Sequence, residues 1–491
     1  MAVNWIFSRS CGGRHSGEAA TGSRSDHPEE VPVSTTNTGE IRSLAQRHLF
    51  PHFTRGQVWA DAGFPVIVRG EGCYLYDDGG RRFLDGLAGL FCVNMGHGRS
   101  DIPAAATKQM EQLAYWTNWS AAHPASAEAA GLIAGLAPEG LERVFFVNSG
   151  SEAVESAIKL ARQYHVSRGQ AGRTKIIARD MAYHGTTLGA LAVTGIPKYK
   201  EPFGPLMPGV RHIPHTLGET VLDGGTASDL PSLKALVEVI EEEGPETVAA
   251  VFAEPVQNSR GALVPPTGYW QELRSICDRY GILLVSDEVI CAYGRLGDWF
   301  GSAKYGVTPD LLTFAKGATS GYAPLGGVLV RDDIAESILT SPRSGSFTHG
   351  ATWGGHPVST AVAVANLTAM RDEDVLGNVR RLEPYFQAGL DRVRDAHSTV
   401  LEWRGTGFFY AVEFTGDRES GRPLTEEQSV DLVRQVMPEA MRRVNLITRP
   451  DDRGATMLML SPPLVADESV LDELLAGVDA VASAVDRHIH G

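Results

Sequence analysis

Four short segments place reactive residue types directly after apolar runs. Asn148-Ser149-Gly150-Ser151-Glu152 follows the run 144–147 and opens a helical pattern. A helix start offers unpaired N–H groups and the positive end of a dipole, and small residues let an anion approach closely. The segment therefore predicts a phosphate cradle, with Ser151 adding a hydroxyl, although an ordinary cap with Glu152 in the first turn fits the same residues. Tyr183 and His184 follow the run 175–178. An aromatic ring there can stack on a planar ligand, or the pair can simply be buried. Asp287 closes the run 282–286. A carboxylate in that place can stay ionised and pair with a protonated ring nitrogen, but loop acids are common there too. Lys316 follows the run 311–314 within Thr313-Phe314-Ala315-Lys316-Gly317. A lysine entering a desolvated site loses basicity and can condense with an aldehyde, whereas most lysines stay at the surface.

These segments need a scaffold that brings them to one edge. The apolar runs at 144–147, 175–178, 249–253, 282–286, 311–314 and 327–330, bounded by Gly, Asn or Asp, read as buried strands. Helical spacing lies between some of them: Ala153, Val154, Ala157, Ile158 and Ala161 share one face, and 269–280 shows a similar pattern. The alternation predicts an α/β fold with a mostly parallel sheet covered by helices. In such sheets ligands bind beyond the carboxyl ends of the strands, where the four segments fall. Beyond about Leu367 the pattern changes to charged helices over 372–394, a Gly-rich strand pair around 404–414 and an amphipathic helix from about Glu468. With 56–84, which contains a hairpin of 74–76 and 83–84, this predicts a smaller α+β domain built from both chain ends. The expected division is a disordered tail over 1–39, the N-terminal part of the small domain over 40–84, a large cofactor-binding domain over 85–367, and the C-terminal part of the small domain over 368–491.

The chain has 491 residues, more than one core of roughly 250–300 residues accommodates. A formal net charge of −15 argues against nucleic acid as a partner, since phosphate backbones select basic surfaces. Five scattered cysteines without metal-type spacing suit a reduced, cytoplasmic setting and no metal. No apolar run approaches the roughly 18–20 residues needed to span a bilayer, so no membrane association is expected.

A phosphate cradle, a stacking ring, a pyridinium partner and an imine-forming lysine are together the parts of a pyridoxal-phosphate site. At about residues 56–465 the chain resembles class III (omega-type) aminotransferases of fold type I. The stretches that carry the resemblance are LFCVNMGHG, FFVNSGSEAVE, YHGTT, AVFAEPVQ, LLVSDEVICAYGRLG, FAKGATSGYAPLGG, THGATWGGHP and LSPPL. The resemblance implies pyridoxal 5'-phosphate as cofactor, held as an imine by Lys316, which also moves the proton in catalysis. Asp287 would hold the pyridine nitrogen. Tyr183, with His184 beside it, would stack on one ring face and Val289 pack on the other. Gly150 and Ser151 would bind the phosphate, and Glu254 would organise the surrounding residues. Thr352 would reach the phosphate of a neighbouring subunit's cofactor, which implies a homodimer or a dimer of dimers. Arg449 resembles a flexible arginine that binds a substrate carboxylate.

The implied reaction moves an amino group from an amine or amino acid to a keto acid or aldehyde, by way of pyridoxamine phosphate. Decarboxylation, oxidative decarboxylation or racemisation on the same scaffold needs Lys316 and Asp287 as well and stays open. A nicotinamide-binding enzyme is disfavoured, because no G-x-G-x-x-G turn follows the first strand. Phe91 stands where many amine-specific relatives carry Trp, and Asn258-Ser259-Arg260 replaces a stretch that is often Gly-rich. Phe91 and Trp119, with Tyr115 and Trp116, are candidates for a substrate pocket or equally for core.

Overall fold

Apolar runs four to seven residues long form the strands that this fold is built on. The structure, a computed structural model, describes residues 38–54, 64–222 and 224–491. Most of the expected tail, and residues 55–63 of the expected N-terminal part of the small domain, lie outside the described residues. The described residues up to Val66 belong to a unit of their own, with a helix over Thr38–His48.

Beginning at Ile67, strands β1 (Ile67–Glu71), β2 (Tyr74–Asp77) and β3 (Arg82–Asp85) form an antiparallel ladder. Strands β4 (Leu141–Val147), β5 (Lys175–Arg179), β6 (Val210–Ile213), β7 (Val248–Ala253), β8 (Leu283–Asp287), β9 (Leu311–Phe314) and β10 (Gly326–Arg331) form a seven-stranded sheet in the order β4-β10-β9-β8-β7-β5-β6. The ladders β9–β8, β8–β7, β7–β5 and β5–β6 are parallel. β10 runs antiparallel to both β9 and β4, so β4 points the same way as the parallel set. Six carboxyl ends therefore share one edge. Strands β7, β8 and β9 are buried along their whole length, as expected for a sheet covered on both faces.

β6 was not among the expected strands. Arg211 and His212 interrupt its apolar pattern, and three of its four residues are only half-buried at the sheet edge. The helix Pro357–Asp372 passes straight through Leu367, where the change in pattern was placed, and stops before Asp374 with its φ of 48°.

The C-terminal part contributes β11 (Val400–Thr406), β12 (Phe409–Phe414), β13 (Leu446–Ile447), β14 (Arg449–Asp451) and β15 (Met457–Leu460). Four of these form a sheet in the order β11-β12-β15-β14, while β13 pairs in parallel with β3, setting Leu446 against Leu84. Residues 82–85 and 446–447 thus share a sheet. Arg295 ties these parts together. Its fully buried guanidinium donates to the carbonyls of Phe408 and Pro462 and to Asn94 Oδ1. Burial pushes it down to about 9. No helix among the described residues is long and apolar enough to cross a membrane.

The final helix, Glu468–His490, is pinned by His397, whose Nδ1 lies 2.6 Å from Asp486 and Nε2 3.0 Å from Asp479. Burial alone would lower the imidazole, but the hydrogen bonds to Asp486 and Asp479 outweigh it and hold it above its usual range. A raised folded-state value means the stabilisation is complete below the unfolded value of about 6.5 and fades as pH rises through the folded one. Because Asp479 is half exposed, the net contribution is about 1 kcal/mol. Chemical denaturation of His397→Gln should show that loss at pH 6 and a smaller difference from the parent at pH 9.

Candidate active site

The shared carboxyl edge of the large sheet opens into a cavity with about 630 Å³ of atom-free space, including its mouth. Its lining includes Gly150, Ser151, Tyr183, His184, Glu254, Asp287, Val289 and Lys316. Eight of the residues singled out in the sequence are thus brought together by the ends of β4, β5, β7, β8 and β9.

The end of β4 leads into the helix Gly150–Ser167. Ser149 is its cap, accepting from Glu152 N, and Glu152 in turn accepts from Asn148 N. The structure shows the capping reading directly. Ser149 takes the capping role and leaves Gly150 and Ser151 at the cavity wall. A Cβ on Gly150 would come within 2.7 Å of the Val289 side chain, so only glycine keeps this corner open. Ser151 Oγ accepts from Thr186 N at 3.1 Å, and its own proton remains available to an anion.

Asp287 ends β8 and is almost fully buried. Its Oδ2 lies 2.6 Å from His184 Nδ1, and its Oδ1 accepts from Thr313 Oγ1 at 2.9 Å and Val289 N at 3.2 Å. Such partners fix the carboxylate's orientation. His184 was grouped with the ring contacts in the sequence; here its closest partner is Asp287. Thr313 received no role there. Its signal was its place three residues before Lys316 on a buried strand, which the sequence alone did not connect with Asp287.

Glu254, just past β7, accepts from Tyr183 N at 3.1 Å. It therefore fixes the backbone that carries the Tyr183 ring. Its other oxygen is buried without a hydrogen bond, 3.9 Å from Arg179. Burial raises the Glu254 carboxyl, with His184 and Arg179 opposing.

Lys316 sits at the end of β9 with a φ of 36°, in the left-handed region that side chains with a Cβ rarely adopt. Such strain gathers at functional sites. Burial lowers the basicity of its amine, opposed by Cys92 and Asp287 and reinforced by Arg449. Among the described residues the amine makes no hydrogen bond. Its Nζ lies 6.0 Å from the centre of the Phe91 ring, and the Arg449 guanidinium carbon lies 5.2 Å from the same ring. Phe91 is buried, packed edge-on against Phe409 with ring centres 5.6 Å apart.

The aromatic cluster divides in the structure, with Phe91 taking the core alternative. Phe91 belongs to the core beneath the cavity edge and is not among the lining residues. Tyr115, Trp116 and Trp119 are exposed, Trp119 at 71%, so within one chain they are neither core nor lining of the Lys316 cavity. Trp119 instead borders a second cavity with the segment 345–351, because the loop after Leu113 runs beside that segment rather than over the sheet edge. Thr352 is also exposed and is not among the residues lining the Lys316 cavity; its carbonyl accepts from Tyr115 OH at 2.8 Å.

A buried amine of lowered basicity, a fixed carboxylate and a helix start of small residues all open on one cavity. The aminotransferase class-III family model matches residues 56–481. The chain belongs to the class III aminotransferases. It is 42% identical to a probable aminotransferase of Mycobacterium tuberculosis, over 88% of this chain and 92% of that one. It is 39% identical to the putrescine–pyruvate aminotransferase of Pseudomonas aeruginosa, over 92% and 99%. Among solved structures it superposes on an (S)-enantioselective omega-transaminase from Thermomicrobium roseum with a TM-score of 0.86, at 40% identity and covering 92% of this chain and 99% of that one. An omega-transaminase of Pseudomonas jessenii solved with PMP gives a TM-score of 0.85 at 29% identity, over 93% and 99%.

This aminotransferase has the fold type I architecture and transfers amino groups. No finding favours decarboxylation or racemisation instead. Its family depends on pyridoxal phosphate. The residues present fit that group. A lysine of lowered basicity, a fixed carboxylate and a corner that a Cβ on Gly150 would close all face the same cavity.

Proposed function

We propose that this aminotransferase holds pyridoxal phosphate through Lys316 and passes nitrogen from an amine to a keto acid or aldehyde. The observation that carries the reading is Lys316 itself: an amine of lowered basicity, without a hydrogen bond among the described residues, on the same cavity as Asp287 and the Gly150–Ser151 helix start. When bound, pyridoxal phosphate supplies an aldehyde for the amino group and a ring that accepts electrons. Everything else falls to the protein. Lys316 Nζ, neutral more often than an exposed lysine, would hold the group's aldehyde carbon with loss of water and, once a donor amine takes its place, would accept or return a proton at the substrate carbon. Asp287, fixed by His184, Thr313 and Val289 N, presents a carboxylate to a protonated ring nitrogen. Gly150 N, Ser151 N and Ser151 Oγ serve a phosphate at the dipole end of the helix. Tyr183, placed by Glu254, and Val289 bracket the plane between them.

The relative named for putrescine and pyruvate supports starting with aliphatic amines. A panel of amine donors, each with pyruvate and with 2-oxoglutarate, should show donor loss that depends on the keto acid and equals the amino acid formed. Donor loss with carbon dioxide release and no need for a keto acid would overturn the reading.

The proposal includes Arg449 as the carboxylate contact, because a planar guanidinium matches a carboxylate with two hydrogen bonds. Arg449→Ala should slow the half-reaction with a keto acid by at least roughly tenfold, about 1.4 kcal/mol. The half-reaction with a neutral amine should change much less. Single-turnover kinetics on both halves checks this; equal losses would remove Arg449 from the role.

It also includes a homodimer, or dimer of dimers, in the cytoplasm. Exposed Trp119 and Trp353, together with the cavity beside 345–351, suit a surface covered by a second copy. The four described cysteines are free thiols, as a reducing compartment allows. Mixing Lys316→Ala with Thr352→Ala subunits should restore activity, since one site in each hybrid carries both defects and the other neither. Demonstrated subunit exchange without recovery would contradict the shared site.

A further inference from the structure

Arg449 is not idle in this structure. It opens β14, and strand periodicity puts it on the same face as Asp451, two residues on. Its Nη2 lies 3.0 Å from Asp451 Oδ2. Its other hydrogen bond is long, 3.5 Å to Asn258 Oδ1, and its Nε is buried without a partner. The guanidinium is thus engaged through one nitrogen, with donors to spare for a second carboxylate.

Asp451 does not depend on Arg449. It accepts from Arg453 N and Nε, each at 2.9 Å, and from Arg453 Nη2. Arg453 is buried and folded back by the turn in which Gly454 N donates to Asp452 O at 3.0 Å. Although burial would raise the Asp451 carboxyl, the Arg453 hydrogen bonds and both guanidinium charges draw it down to about 2. The carboxylate is therefore a fixed anion at any working pH. Burial and the Arg453 charge lower Arg449 to about 10, still cationic near neutrality.

Resting on the reading of Arg449 as the carboxylate contact, we propose that Asp451 is an internal carboxylate that competes with the substrate's for Arg449 and so sets the preference between acidic and neutral substrates. With a neutral amine bound, Arg449 stays on Asp451 and no buried cation is left unpaired. With a carboxylate bound, Arg449 turns its free donors to the ligand, and Arg453 keeps Asp451 paired. The pairing cost of either state is small because Arg453 never leaves. The exposed neighbour Asp452 takes no part; it pairs with Lys198 at 3.0 Å.

The test is calorimetric binding to the cofactor-loaded enzyme of valerate, an unreactive carboxylate, and of valeramide, its neutral counterpart. Removing an internal competitor should tighten valerate about threefold in Asp451→Asn, a gain of the size of one partly exposed ion pair, and leave valeramide unchanged. Asp452→Asn should change neither. Arg449→Ala should weaken valerate, and in that background Asp451→Asn should have no further effect, whereas a general field effect would persist. If Arg449→Ala leaves valerate binding intact, the reading beneath fails. If Arg449→Ala weakens it but Asp451→Asn does not tighten it, or tightens both ligands alike, Asp451 is only a structural pin and the proposal is overturned. Should Asp451→Asn fail to fold, Arg453→Gln decides instead. Asp451 then has Arg449 as its main partner, so valerate should bind more weakly; equal or tighter binding contradicts the proposal.

Discussion

Lys316→Ala should reduce amino-group transfer by about four orders of magnitude, the upper end of what a positioned proton carrier contributes. The protein should stay folded, because the amine makes no hydrogen bond among the described residues and its removal also relieves a buried, partly desolvated charge. Cofactor should still bind through the Gly150–Ser151 corner, Tyr183 and Asp287, since none of these depends on Lys316. Equilibrium dialysis of the cofactor together with single-turnover rates separates the two effects. Retained transfer within tenfold of the parent would remove Lys316 from the chemistry.

Asp287→Asn should cost on the order of 10²–10³ in rate, the range for removing one preorganised electrostatic contact from a buried site. The amide keeps the shape and much of the hydrogen bonding to Thr313 and Val289 N, but it cannot present a negative charge to a ring nitrogen. It also leaves His184, buried 2.6 Å away, facing a neutral group. The melting temperature should therefore move by only a few degrees while the rate collapses. A rate loss matched by an equal loss of folded protein would mean that Asp287 is structural.

Much of this site was readable in the sequence for a physical reason. β7, β8 and β9 are buried on both faces, so they appear as unbroken apolar runs, and a polar residue at the end of such a run stands out. Asp287 and Lys316 are legible in that way. Strand direction is not: β10 is as apolar as its neighbours, and nothing in its residues says that it runs antiparallel. β6 was missed because Arg211 and His212 sit on a half-covered edge strand. Asp451 and Arg453 were passed over because R-P-D-D-R reads as a charged surface turn. Their burial comes from β15 and from the loop carrying Arg260, whose guanidinium bonds Gly454 O, both far away in sequence. The exposure of Trp119 was equally out of reach, since an aromatic residue serves core, pocket and subunit surface alike.

The account stands on one covalent assignment. Reduction of the cofactor-loaded enzyme with borohydride, followed by proteolysis and mass mapping, should place the cofactor on the peptide containing Thr313-Phe314-Ala315-Lys316-Gly317, with Lys316 as the modified residue. Modification of any other lysine, with Lys316 recovered unmodified, would contradict it.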